Sequence, residues 1–227
     1  MPERAPCRAL VRLALMSAAA LALGACAGPL ASPSPVPAAS DSRTEPRRLD
    51  DFTAVSVDGP LNLVLATGAV GSVDVEAASN VLPLVQTDVN SGELDVSVAP
   101  PGFTSAKPVT VRITSPTVTS VPLEGGATGT VEAMGKSLSV SVSGGSALKG
   151  IGAVAQLTVT VLGSSAAELG DLSADTGTIS AAGGARATLR VARQLTGTVD
   201  GGSIVTLAVA PDAKSVSVTG GAQLVLP

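Results

Sequence analysis

The residue types in this chain limit the reactions that it could catalyse. The 227-residue sequence contains no His, Tyr or Trp, and its cysteines are Cys7 and Cys26. Ser-His-Asp and Cys-His arrangements are excluded because both need an imidazole base. Zinc sites built on His or on several Cys are excluded as well. Chemistry based on carboxylates is not excluded by this composition.

Three aspartates, Asp171, Asp175 and Asp200, are the candidates for carboxylate chemistry. Stacked coils of a β-helix could align them, and glycoside hydrolysis requires two carboxyl groups that flank the scissile bond. We favour the simpler interpretation that they are solvated turn residues. Calcium binding is not expected either, because the Gly-rich Asp nonapeptide of calcium-binding β-rolls is absent. The sequence thus predicts a non-enzymatic protein without catalytic, metal-binding or cofactor-binding residues.

Aromatic stacking on sugars would require exposed rings, and the chain has only two aromatic residues, Phe52 and Phe103. Phe52 opens a predicted strand and is expected in the core. Phe103 follows Pro100, Pro101 and Gly102, and we expect it to cover one end of the fold, since open β-helix ends need capping. An exposed loop contact is the alternative for Phe103.

The segment before Cys26 has the pattern of a signal peptide. Arg4, Arg8 and Arg12 make a basic start, and residues 13–23 form an uncharged apolar run. A run of eleven residues is too short for a transmembrane helix, which needs roughly 20 residues. We therefore predict that residues 1–25 are a signal peptide that is removed.

Cys26 itself has the sequence context for lipid attachment. The residues Leu23-Gly24-Ala25-Cys26 resemble the bacterial lipobox, which implies a thioether-linked diacylglycerol on Cys26, cleavage before it and acylation, as with palmitate, of the new amino group. Two or more acyl chains anchor a protein stably, at about 0.8 kcal/mol per buried CH₂. The prediction is a lipoprotein on the extracytoplasmic side of the cell membrane. The alternative is an ordinary secretory signal in which Cys26 is incidental.

The charge of the chain argues against nucleic acid as a partner. Residues 1–25 hold three arginines and one glutamate, so their removal changes the formal charge from −4 to −6. Phosphate binding depends on clustered Lys and Arg, and the loose group of Arg186, Arg190 and Arg193 is expected to be a solvated edge. We therefore expect the membrane as a partner through the lipid, and a cell-surface or extracellular polymer as a further one.

Residues 26–48 are predicted to be a tether. The stretch from Ala27 to Arg48 is rich in Pro, Ala and Ser, and its prolines are expected to prevent regular strand pairing. Such a segment is semi-rigid and extends about 3 Å per residue. It would hold a folded domain away from the lipid surface.

Residues 49–227 are predicted to form one all-β domain. Segments such as 54–58, 92–98 and 109–113 alternate apolar and polar residues with period two, which is typical of strands. No window has convincing 3.6-residue periodicity. The length is well within the range of one domain.

The second half of this domain repeats. Pairs of small residues follow one another at intervals of 19, 19, 20, 18 and 19 residues, at positions 125–126, 144–145, 163–164, 183–184, 201–202 and 220–221. An apolar residue precedes each pair by two positions, at Leu123, Val142, Val161, Ala181, Val199 and Val218. A small residue follows each pair, at Ala127, Ser146, Ser165, Ala185, Ser203 and Ala222.

A period near 19 residues suits one coil of a β-helix, with glycine at a corner and like residues stacked at about 4.8 Å. We therefore predict an all-β, parallel β-helix-like solenoid with about 19-residue coils. An antiparallel β-sandwich is the alternative, because 19 residues could also hold two hairpins. The glycine pair occurs once per period rather than twice, which favours the solenoid.

The domain resembles the bacterial head GIN domain family, described as putative auto-transporter adhesins. The resemblance covers about residues 47–227 and rests on segments 52–60, 79–85 and 92–96 and on Val-Ser-Val-Ser-Gly-Gly units such as 140–145. It implies a right-handed parallel β-helix-like fold and a role in adhesion. The acidic corners that are typical of the family are mostly missing here.

The leading hypothesis is a non-enzymatic, membrane-anchored surface lipoprotein that presents polar Ser/Thr faces for adhesion or for interaction with the envelope. A degenerate polysaccharide-binding or polysaccharide-processing β-helix is the alternative. Self-association through an exposed coil edge is a third hypothesis.

Overall fold

The structure is a computed structural model that describes residues 33–68, 71–116 and 118–227. Cys26 and the predicted signal peptide lie outside these ranges. Within them, no helix has the length and apolar character needed to cross a bilayer.

The described residues form seventeen β-strands and one short 3-10 helix, Leu82–Leu84. Strands β1 to β9 are Val36–Pro37, Arg43–Arg47, Ala54–Asp58, Leu61–Ala66, Ser72–Ala77, Val85–Asn90, Glu93–Val98, Phe103–Thr104 and Val109–Thr114. Strands β10 to β17 are Ser120–Glu124, Thr128–Val142, Ala147–Leu162, Ala166–Ala182, Arg186–Val199, Ile204–Leu207, Ala213–Val218 and Gln223–Val225.

The strands stack into a parallel solenoid with two main faces. Strands β11 to β14 have 14 to 17 residues each and contribute to both faces. Face 1 consists of the segments that precede the glycine corners, in the order β6-β7-β3-β10-β11-β12-β13-β14-β16. Face 2 consists of the segments that follow the corners, in the order β2-β5-β9-β4-β11-β12-β13-β14-β15-β17. The hydrophobic core lies between the two faces.

The pairing register confirms the predicted 19-residue coil. On face 2, Thr128 pairs with Ala147, and the same row continues through Ala166, Arg186 and Ile204. The steps along this row are 19, 19, 20 and 18 residues, as in the glycine spacing. Pairing between the repeated coils is parallel, whereas the pairs β2–β5, β5–β9 and β6–β7 at the other end of the stack are antiparallel. The parallel coils make up most of the domain, so the antiparallel sandwich is not the fold of this protein.

Glycine is required at the corners because the backbone there is left-handed. The first residue of every corner from Gly125 to Gly220 has a positive φ, for example +66° at Gly144. A Cβ on Gly144 would lie 2.8 Å from the amide nitrogen of Gly125 in the coil before it. At Gly144 the preceding corner therefore approaches too closely for a side chain, and the positive φ favours glycine at all six corners.

The two predicted columns of small and apolar residues lie in the core. The apolar column from Leu123 to Val199 is at most 1% exposed, and the column from Ala127 to Ser203 is equally buried. The last coil differs, since Val218 is 41% exposed and Ala222 is partly buried. The described chain has no further coil to cover them.

The segment predicted to be an unpaired tether is partly docked on the domain. Strand β1 pairs in parallel with β8, and β2 pairs antiparallel with β5. The expectation that prolines prevent pairing throughout residues 26–48 is therefore wrong for residues 36–37 and 43–47. Proline is tolerated in β2 because this strand is an edge, with β5 as its one partner in the described structure, so that the missing N–H of Pro46 need not be part of the ladder.

Side chains of the resemblance segment 79–85 fasten this docked segment. Asn80 accepts a hydrogen bond from the amide of Ala39 (2.9 Å) and donates one to the carbonyl oxygen of Pro37 (2.8 Å). Ser79 donates from its hydroxyl to the carboxylate of Asp41 (3.1 Å). This bond, the amide of Ser79 and the nearby Arg43 hold the pKa of Asp41 below its usual value.

Candidate functional surface

Two rows of hydroxyl side chains cover the outer surface of strands β11 to β14 and β16 in face 1, and we call them together the hydroxyl face. On β7, at the other end of face 1, the same rows hold Glu93 and Asp95. Because the register is parallel and side chains alternate along a strand, each row has one residue per coil. The first row is Ser139, Thr158, Thr178, Thr196 and Ser215, and the second row is Ser141, Thr160, Ser180, Thr198 and Ser217. All ten side chains are exposed or half-buried.

The spacing of these hydroxyls follows from strand geometry. Neighbouring strands lie about 4.8 Å apart, and residues i and i+2 of one strand lie about 6.6 Å apart. The hydroxyl oxygens of Thr178 and Thr196, neighbours in the first row, are 3.4 Å apart. The face is thus a regular array of groups that can each donate and accept a hydrogen bond.

The hydroxyl face is uncharged, whereas face 2 is not. Beside the two rows lies a third polar row of Ser137, Gln156, Thr176 and Gln194. None of the residues in these three rows is charged, and the exposed Asp175 and Arg193 directly precede the third row at Thr176 and Gln194. On face 2, Lys149 pairs with Glu168, and Arg186 lies on the next strand. The hydroxyl face and face 2 therefore differ in the kind of partner that they suit.

The three aspartates singled out from the sequence do not form a site together. Asp171 pairs with Ile151 on face 2, while Asp200 directly precedes the Gly201 corner and accepts a hydrogen bond from the amide of Gly201 (2.6 Å). Asp175 lies between them in chain order, near a register shift in β13. In the part of the chain that the structure describes, no three His, Cys, Asp or Glu residues are grouped to hold a metal ion.

Both phenylalanines pack against the core. Phe52 is 8% exposed, as predicted. Phe103 is half-buried and packs against the core, and its strand β8 pairs with β1. The Phe52 ring is therefore not available for stacking on a sugar, whereas Phe103 lines a surface groove with Pro100, Pro101 and Gly102.

The loose arginine group is held partly by the backbone. Nε of Arg190 donates to the carbonyl oxygen of Gly170 (2.8 Å) in the preceding coil. This bond gives Arg190 a structural role, whereas Arg186 and Arg193 are exposed.

The sequence predicted polar Ser/Thr faces, but it did not single out the ten residues of the hydroxyl face. The signal is present in the repeat: Ser or Thr flanks an inward residue in units such as Thr158-Val159-Thr160 and Thr196-Gly197-Thr198. The glycine corner dominates the pattern, so the hydroxyl rows become evident only when the register is known.

Comparison with solved structures finds the same fold in other bacterial proteins. A "putative adhesin" of Bacteroides fragilis is similar, with 16% identity over 85% of this chain and 100% of its own, and a TM-score of 0.71. A "putative adhesin" of Parabacteroides merdae has 17% identity over 86% of this chain and 100% of its own, and a TM-score of 0.57. A "putative lipid binding protein" of Parabacteroides distasonis has 12% identity over 86% and 100%, and a TM-score of 0.51. These similarities show the fold.

Comparison with curated protein sequences gives no match. The family model described as "Putative auto-transporter adhesin, head GIN domain" matches residues 51–211, which is more than half of the chain. The matched range begins before β3, ends after β15 and includes all of the long strands β11 to β14. The chain therefore belongs to the head GIN domain family of putative auto-transporter adhesins.

Proposed function

We propose that this protein is a non-enzymatic adhesion module, held on the extracytoplasmic side of the cell membrane by lipid on Cys26, which binds a neutral polysaccharide through its hydroxyl face. The uncharged array of ten Ser and Thr side chains is the observation that carries the proposal. Family membership supports an adhesive role at the cell surface.

The chemistry of the hydroxyl face suits a neutral, polyhydroxylated polymer. Ser and Thr hydroxyls both donate and accept, as sugar hydroxyls do, so that each can find a partner on a glycan directly or through water. A charged polymer would gain no ion pair on this surface. A regular row also gives a repeating polymer many equivalent contacts.

Each hydroxyl contact is weak, and anchoring compensates for this. A net hydrogen bond contributes roughly 0.5–1.5 kcal/mol, so one molecule would bind a glycan only moderately. Many copies held on one membrane would bind one polymer together, and their avidity would far exceed the affinity of a single domain. Lipid on Cys26 would supply this display. The pairing of β1 and β2 with the domain leaves any spacer role to the residues before Val36.

The test removes three hydroxyls from the hydroxyl face without changing its shape. The triple variant Thr158→Val, Thr160→Val and Thr196→Val should weaken adhesion of expressing cells to cellulose or another insoluble neutral glucan at least about tenfold, because three lost hydrogen bonds exceed 1.4 kcal/mol. The matched control is the triple variant Thr130→Val, Thr188→Val and Thr206→Val, which makes the same change on face 2. It should adhere like the unaltered protein.

The anchor is tested in the same assay by Cys26→Ala. This variant should leave the membrane fraction and abolish adhesion of the cells, while the released protein still binds the glucan. Equal losses in the two triple variants would contradict a role of the hydroxyl face. A Cys26→Ala protein that stays in the membrane fraction would contradict the lipid anchor.

A further inference from the structure

Within the described part of the chain, the last coil of the solenoid has an unpaired edge. Strand β16 pairs with β14, and β17 pairs with β15, and within the described residues no strand pairs with the other side of either one. The unpaired N–H and C=O groups of such an edge are a template for another strand.

The same edge exposes apolar residues of the core columns. Val216 and Leu224 are partly buried against the core, while Val218 is 41% and Leu226 is 47% exposed. In the previous coil, Val199 is the ladder partner of Val218 and Val205 is the partner of Leu224, and both valines are fully buried. A partner that continued the coil stack would therefore gain apolar burial.

One inward position of this edge holds a charged residue, whereas the four coils before it have leucine or glycine at the same position. Leu195 of β14 is fully buried, and its partner in β16 is Lys214. The same inward column contains Leu138, Leu157 and Gly177 in the coils before it. Paired residues of a parallel ladder point to the same side of the sheet, so Lys214 begins on the core side and reaches water past the open edge.

The edge strand at the opposite end of the solenoid also contains charged residues. Strand β2, the edge of face 2 at that end, contains Arg43, Glu45 and Arg47 as well as Pro46. Inward charges and edge prolines are known devices that prevent edge-to-edge pairing of sheets. Each end of the stack thus has such a device.

We infer that Lys214 prevents this edge from pairing with the same edge of a second copy of the chain. A two-fold contact would place β16 antiparallel to β16 of the partner and would cover Val216 and Val218 of both. It would also bury two ammonium groups without a counter-ion, which costs more than the apolar contact returns. A two-fold contact uses this edge of both copies, and the other end of the solenoid differs from it, so association would stop at the dimer.

The test replaces Lys214 in the unlipidated Cys26→Ala form, since acyl chains would associate by themselves. Lys214→Leu and Lys214→Met should convert a monomer into a concentration-dependent dimer in sedimentation equilibrium. Lys214→Glu should stay monomeric, because a charge of either sign opposes burial. Lys149→Leu makes the same change on the outward surface of face 2 and should also stay monomeric.

Circular dichroism and the unfolding midpoint verify that each variant is folded. The inference is overturned if both folded Lys214 variants stay monomeric over the whole concentration range. It is also overturned if the form that retains Lys214 already dimerises through this edge, or if Lys149→Leu dimerises to the same extent.

Discussion

Three buried serines follow glycine corners, and their hydroxyls differ in what they bind. Ser165 accepts a hydrogen bond from the amide of Gly145 (3.1 Å), and Ser203 accepts one from the amide of Ala185 (3.2 Å). Ser146 occupies the same column and is 1% exposed, but its hydroxyl has no hydrogen-bond partner among the residues that the structure describes. A buried polar group without a partner destabilises a fold, whereas a paired one stabilises it slightly.

This difference predicts opposite effects of one substitution at two equivalent positions. Ser203→Ala should lower the free energy of unfolding by about 1 kcal/mol or more, because the buried amide of Ala185 loses its acceptor. Ser146→Ala should leave it unchanged or raise it, because no hydrogen bond is lost. Urea denaturation of both variants measures the two changes, and an equal loss in both would show that the Ser146 hydroxyl is paired after all.

Single residues also show where sequence reasoning fails. The corner glycines could be predicted because they recur. Gly197 lies inside β14 and has a φ of +134°, and a Cβ there would overlap the carbonyl oxygen of Ile179. The other coils have Val140, Val159 and Ile179 at the same position of the column. The repeat pattern therefore gives no indication that the backbone at this position requires glycine. The backbone conformation that requires glycine depends on a contact with the neighbouring coil.

At the scale of elements, the strands that could be predicted differ from those that could not in how far apart their paired residues lie along the sequence. Long strands of the solenoid pair with residues 18 to 20 positions away, and that constant step leaves a period in the sequence. Strand β2 pairs with β5 through Arg43 and Ala77, a contact that occurs once and leaves no period. The prolines around β2 led to the prediction of an unpaired tether, although an edge strand can contain a proline.

The repeat predicts that one coil can be removed without loss of the fold. Deletion of residues 147–165 joins Ser146 to Ala166, which takes the place of its ladder partner Ala147. The columns remain aligned, so the protein should unfold cooperatively with a lower free energy of unfolding, because one coil-to-coil interface is lost. Denaturant unfolding followed by circular dichroism measures this change.

The matched control removes about half a coil. Deletion of residues 147–156 would place Leu157, an inward residue, at the outward position of Ala147. Because strand residues alternate between faces, the whole following segment would turn its apolar side to water. This variant should fail to fold. If the full-coil deletion fails as well, the coils are not equivalent units.

At the scale of the whole molecule, the distribution of charge separates the proposed binding mode from an ionic one. The form without residues 1–25 has a formal charge of −6, yet the hydroxyl face has none of it. Raising the ionic strength from about 0.1 M to about 1 M shortens the Debye length from about 10 Å to about 3 Å, which weakens contacts between charges and leaves contacts between hydroxyls intact. Binding of the unlipidated Cys26→Ala form to cellulose, measured by depletion, should therefore change less than about twofold over this range.

Thr160→Lys, which introduces a charge on the same face, should add salt-sensitive binding to an acidic polysaccharide such as alginate. Because cellulose is uncharged, a large loss of its binding in high salt would contradict a contact that is made by hydroxyl groups.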